Sequence, residues 1–134
     1  MQTIYEAKTS TTSQPITERV KTFDDACKVL GLEKVNVGVE GLDDDTSSIV
    51  AYTKIVIISK ALNEGWQPDW TDSSQRKYVP WSEHKSGFRL AFGGYGAWTT
   101  ITNVGSRLCF KTAELAKYAA TQFADIYNDF LTIK

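Results

Sequence analysis

At 134 residues and 15.0 kDa the chain has the length of one domain, and its 42% hydrophobic and 12% aromatic content excludes a disordered polymer. Its 15 basic and 16 acidic residues nearly cancel, to a net charge of −1. That balance excludes a strongly basic duplex binder driven by neutralised phosphates, an acidic tail and a polybasic membrane patch. One histidine and two cysteines leave a classical zinc site short of ligands.

Residues 1–15 are polar and rich in Ser and Thr, and read as a flexible arm ahead of a single domain over 16–134. The arm lacks the apolar run of a signal peptide. The longest apolar stretch, Ile55–Ile58, is far short of the roughly 20 residues that span a bilayer. The expectation is a cytosolic protein without membrane association. In that compartment Cys27 and Cys109 stay reduced and serve as small buried hydrophobes.

The first predicted helix lies near 22–30. Thr22 caps it, Asp25 completes an Asp variant of the capping box, and Gly31 suits the left-handed position after its end. Residues 32–46 hold Asp43-Asp44-Asp45, which lack the spaced oxygens and sharp glycine turn of a calcium loop; they read as a solvated segment favouring the next helix N-terminus. Thr46–Glu64 combines a helical period through Ile49, Tyr52, Ile55, Val56 and Leu62 with a β-branched run, Ile55–Ile58. Its length decides for a helix near 48–64.

From Trp66 the composition changes. All four Trp and nine of the 16 aromatics fall between Trp66 and Phe110, a stretch with five basic and three acidic residues, against seven and ten over residues 1–65. Four strand-like runs are predicted over residues 77–110: Lys77–Trp81, Phe88–Phe92, Ala97–Thr102 and Arg107–Phe110, with Gly93-Gly94-Tyr95-Gly96 as a turn. Pro80 marks an edge strand or a bulge. The last predicted helix runs over 113–131, capped by Thr112, with Leu115, Ala119, Phe123, Ile126, Tyr127 and Phe130 as its apolar stripe. The fold class is α+β, a small antiparallel sheet of about four strands packed by helices.

Chemistry is sparse. His84, in Ser82–Gly87, reads as a residue of an exposed turn, and no nucleophile elbow, Walker loop or dinucleotide fingerprint occurs. Asp69 with Asp72, or Glu83, is a candidate carboxylate pair for acid–base work, with nothing in the spacing alone to support it. Trp66, Trp70, Tyr78, Trp81 and Trp98, with Arg76, Lys77, Arg89 and Arg107 nearby, have the composition of a stacking surface for single-stranded nucleic acid or nucleotides. Packing is the competing use of these rings. Strand alternation turns most of the later aromatics inward, whereas Trp66, Trp70 and Trp81 lie in Pro-containing segments. The candidate binding residues are therefore Trp66, Trp70, Tyr78, Trp81 and Arg107.

Three blocks carry a resemblance. They are Ile16 through Cys27; Ala61-Leu62-Asn63-Glu64-Gly65-Trp66-Gln67-Pro68-Asp69-Trp70 continuing to Lys77–Trp81; and Val104-Gly105-Ser106-Arg107-Leu108-Cys109-Phe110-Lys111 running into Ala113–Ala116. Over residues 16–131 the chain resembles a family of small uncharacterised proteins encoded by phages and prophages of Bacteroidetes. The resemblance implies a phage setting and a host-cytoplasmic location; it carries no activity, cofactor or functional residue, and residues 32–48 look like a variable insert.

Three functions follow as expectations. The first is a non-enzymatic phage protein acting through protein–protein contact, as a host-modulating factor, virion accessory or oligomer building block, with a host or phage protein or a second copy as partner. The second is a single-stranded nucleic-acid or nucleotide binder using the aromatic and Arg surface. The third is an enzyme using Asp69, Asp72 or His84. Near-zero net charge and the lack of a catalytic constellation favour the first.

Overall fold

The computed structural model describes residues 14–84 and 90–133. The arm expected over 1–15 falls outside them except for its last two residues, as do Phe88 and Arg89 of the second predicted strand. Among the described residues five α-helices and one two-stranded antiparallel sheet make an α+β fold. In chain order they are α1 (Ile16–Arg19), α2 (Phe23–Val29), α3 (Asp45–Leu62), β1 (Lys77–His84), β2 (Leu90–Trp98), a 3-10 turn (Ser106–Leu108), α4 (Ala113–Gln122) and α5 (Ala124–Leu131).

The beginning and end of α2 are set locally. Thr22 accepts from the Asp25 amide, and the Asp25 carboxylate accepts from the Thr22 amide, closing the capping box. At the other end Gly31, at φ 71°, lets its amide donate to Lys28 and the Leu32 amide to Cys27, which satisfies the last carbonyls. Asp45 opens α3, and Asp44 occupies its N-cap, so the acidic run sits at a helix start.

Helix α3 is the central element and packs against α2 and α5. Ile55, Ile58 and Leu62 are fully buried on it, and that burial overrides the strand preference of Ile55–Ile58. The core joins them to Ile16, Val20, Phe110, Leu115, Phe123 and Tyr127. Polar clamps tie the layers. Asn63, buried at the end of α3, donates to the Cys109 carbonyl (2.9 Å) and accepts from the Lys111 amide (3.1 Å). Tyr118 donates to the Val20 carbonyl (2.7 Å), and Ser48 to that of Phe130 (2.8 Å).

Two expectations need correction. The predicted helix over 113–131 is two helices, broken at Phe123, whose φ of −111° and ψ of 33° leave the helical region. Phe123 is buried in the core, and Thr121 donates back to the Lys117 carbonyl (2.7 Å) just before the break, a bond that bends helices. The sheet has two strands among the described residues instead of about four. Only Ala97 and Trp98 of the run Ala97–Thr102 belong to a strand. Arg107–Phe110 begins in the 3-10 turn and ends in one isolated bridge, in which Tyr78 and Phe110 exchange both backbone hydrogen bonds (3.0 and 2.7 Å).

The predicted turn Gly93-Gly94-Tyr95-Gly96 is instead the middle of β2. The partner strand explains why glycines sit there. A Cβ on Gly96 would lie 2.8 Å from Trp81 Nε1, so the Trp81 indole covers the bare Gly96 backbone. Register runs from Lys77↔Trp98 to Trp81↔Gly94, then slips so that Ser82 faces Phe92 and Gly93 is the extra residue. Of the two readings of Pro80, an edge strand or a bulge, β1 is an edge strand of the two-stranded sheet, and the register shift falls one residue beyond Pro80 with its extra residue on β2.

Candidate functional site

Alternation and register sort the hairpin side chains. Val79 and Trp81 of β1 share a face with Gly94, Gly96 and Trp98 of β2, and Tyr78 shares the opposite face with Tyr95. Tyr78 is half-buried against the core, its ring edge-on to Tyr95 at 5.5 Å. Val79, Trp81 and Trp98 line a groove of about 480 Å³ together with Val104 and Leu131. Trp81 is 58% exposed there, although its indole is held over Gly96. His84 ends β1 on the rim of this groove and is exposed.

A second cleft, of about 460 Å³, forms between the last turns of α3 and the 3-10 turn. Val56 and Lys60 come from α3, Trp66, Gln67 and Pro68 from the irregular segment after it, and Ser106 and Arg107 from the 3-10 turn. Asn63 lines this cleft too and, by gripping Cys109 and Lys111, holds the 3-10 turn close to the helix end. Trp66 is half-buried; Lys60 and Arg107 are exposed.

Between the two clefts lies the least expected feature of the molecule. Lys77 is completely buried, and its Nζ donates to the carbonyls of Asp69 (2.6 Å), Gln75 (2.8 Å), Thr99 (2.6 Å) and Asp72 (3.2 Å). Four acceptors surround a group with three N–H protons, and the Trp70 ring lies 5.1 Å from the nitrogen. The lysine thus gathers the 69–75 loop and the chain after β2 onto the start of β1. Asp69 and Asp72 close tight local turns on Thr71 and Ser74. The Thr71 hydroxyl holds the Asp69 carboxyl below its usual range, and the Ser74 hydroxyl does the same for Asp72. As a pair they are engaged, ionised turn residues, not an acid and base with separated pKa values.

The five candidate residues therefore do not form one surface. Trp66 and Arg107 share the cleft beside α3. Trp70 stands behind it, donating from Nε1 to Ser106 Oγ (2.8 Å) and stacking on Lys77. Tyr78 faces the core, and Trp81 belongs to the hairpin groove. Lys60 and Ser106 were absent from the candidates. Lys60 was within reach, since it lies one helical turn before the Asn-Glu-Gly exit and four residues after Val56 on the same face. Nothing local marks Ser106 or the burial of Lys77.

Burial pushes the Cys109 thiol up to about 11, and Cys27, also raised by desolvation, is half-buried; both are free. Neither has the lowered pKa of a reactive cysteine. Among the described residues no helix is long and apolar enough to cross a membrane. No family model, curated protein or solved structure matches the chain, so the geometry alone carries the functional argument.

Proposed function

We propose that this is a non-enzymatic binding protein that acts by protein–protein contact through the hairpin groove. One observation carries the reading: large apolar side chains collect, exposed, around this groove. Trp81 and Leu131 line it at 58% and 49% exposure, beside the half-buried Val79, Trp98 and Val104. Clustered apolar exposure of this kind marks interaction surfaces, and tryptophan is among the side chains that dominate their energetics. The rigid seat of Trp81 on Gly96 lowers the entropy lost when a partner covers it. With the phage resemblance of the sequence taken as an expectation, this reading sets the contact in the cytoplasm of an infected cell, with a host protein, another phage protein or a second copy of the chain as partner.

A photo-crosslinking amino acid at position 81, 131 or, as a control, 117 tests this in infected host cells. The expected result is one and the same crosslinked species from positions 81 and 131 and none from 117, which is exposed on α4. Light scattering on the purified chain identifies the species when the partner is a second copy. Equal crosslinking from all three positions, or none from 81 and 131, overturns the reading.

A further inference from the structure

We propose that the cleft between the end of α3 and the Ser106–Leu108 turn binds one mononucleotide, its base against Trp66 and its phosphate between Lys60 and Arg107. The cleft's volume, about 460 Å³, lies in the range of small-ligand sites. Its lining contains two cationic side chains and no carboxylate. Neither Lys60 nor Arg107 has an ion-pair partner among the described residues. The acids nearby in sequence are occupied elsewhere: Glu64 pairs with Lys111 at 3.5 Å, and Asp69 and Asp72 hold Thr71 and Ser74. A charge-assisted phosphate site is therefore open, with arginine able to grip two oxygens at once.

The other half of the ligand follows from what surrounds these cations. Trp66 and Val56 offer a planar and an aliphatic surface for a base. Ser106 Oγ accepts from Trp70 Nε1, which leaves its own proton for a ligand oxygen. The geometry suits one base rather than a strand. Trp70 is taken up by Lys77 and Ser106, Tyr78 by the core, and Trp81 and Trp98 by the separate groove, so among the described residues no track of rings continues from Trp66. This site is distinct from the hairpin groove, and the two proposals stand or fall separately.

The test is isothermal calorimetry on the full chain with adenosine monophosphate, adenosine, inorganic phosphate and a 5′-phosphorylated hexa-deoxyadenylate. Adenosine monophosphate should bind at least about tenfold tighter than adenosine or phosphate alone, and the oligonucleotide no tighter than the mononucleotide. Arg107→Gln and Lys60→Gln should each weaken it roughly tenfold, while Lys117→Gln, an exposed cation on α4, should not. Circular dichroism melting verifies that each variant folds. No heat with up to about 10 mM mononucleotide, or full affinity in Arg107→Gln, overturns the site. An oligonucleotide about tenfold tighter than the mononucleotide overturns the single-ligand reading in favour of a strand end.

Discussion

The helical part of the molecule and its hairpin are built on different physics. In the helical part α3 is wrapped by α1, α2, α4 and α5, and the fully buried side chains are apolar except Ser59. Among the described residues of the hairpin the one fully buried side chain is Lys77, held by four carbonyls, and the Trp81 ring is mostly exposed. One region is stabilised by non-directional burial, the other by directed hydrogen bonds around a buried cation. A two-stranded hairpin is marginal by itself, and this one is anchored through the Lys77 cage, the Tyr78–Phe110 bridge and the packing of α4. Such a division leaves Trp81 and the cations Lys60 and Arg107 exposed.

Substitutions that strike one region at a time break this contrast or sharpen it. The largest effect is expected at the junction: Phe110→Ala removes a fully buried ring and should cost about 3–5 kcal/mol in denaturant unfolding, whereas Trp81→Ala should change stability by less than about 1 kcal/mol. Comparable losses from the two would show that the hairpin face is core after all. Next, Lys77→Met takes the shared donor from the part-buried carbonyls of Asp69, Gln75 and Thr99; about 3 kcal/mol should be lost, with a change in Trp70 emission. A methionine variant as stable as the parent would refute the cage as the hairpin's anchor.

Smaller effects separate local from tertiary devices. Thr22→Ala deletes the cap of α2 and should cost about 1 kcal/mol, read from the thermal midpoint. Gly96→Ala pushes the exposed Trp81 indole off its seat; a shifted Trp fluorescence with a stability change below about 1 kcal/mol is expected, and an unshifted spectrum would contradict the contact. The smallest effect is the pH dependence. Asp25, bonded by the Lys21 amide, and Asp69 and Asp72, bonded by Thr71 and Ser74, have folded pKa values below 3.8. Each such group binds its proton more readily when unfolded, so its contribution is fully present well above pH 3.8 and is lost as pH falls through the folded value. Asp25→Asn should flatten the acid limb of the stability curve slightly, and the double Asp69→Asn, Asp72→Asn variant should do so more.

Residues that act on near neighbours were legible in sequence. Thr22, Asp25 and Gly31 bound one helix, Thr112 starts another by accepting from the Leu115 amide, and the length of the α3 segment outweighed its β-branched run. The caps are decided within four or five residues, where capping chemistry acts, whereas α3 is read from the length and period of its whole segment. The break at Phe123, the glycines inside β2 and the lost third and fourth strands were not. Each depends on a side chain or backbone brought from far along the chain: the core around Phe123, Trp81 across Gly96, Tyr78 against Phe110. The candidate site divides the same way. That tryptophan and arginine concentrate after residue 65 is written in the composition. That Trp66 and Arg107 share a cleft with Lys60 while Trp81 lies in another is a tertiary outcome, because Asn63 and Lys77 fix the loops with hydrogen bonds to backbone carbonyls, groups that every residue carries and that no sequence pattern distinguishes.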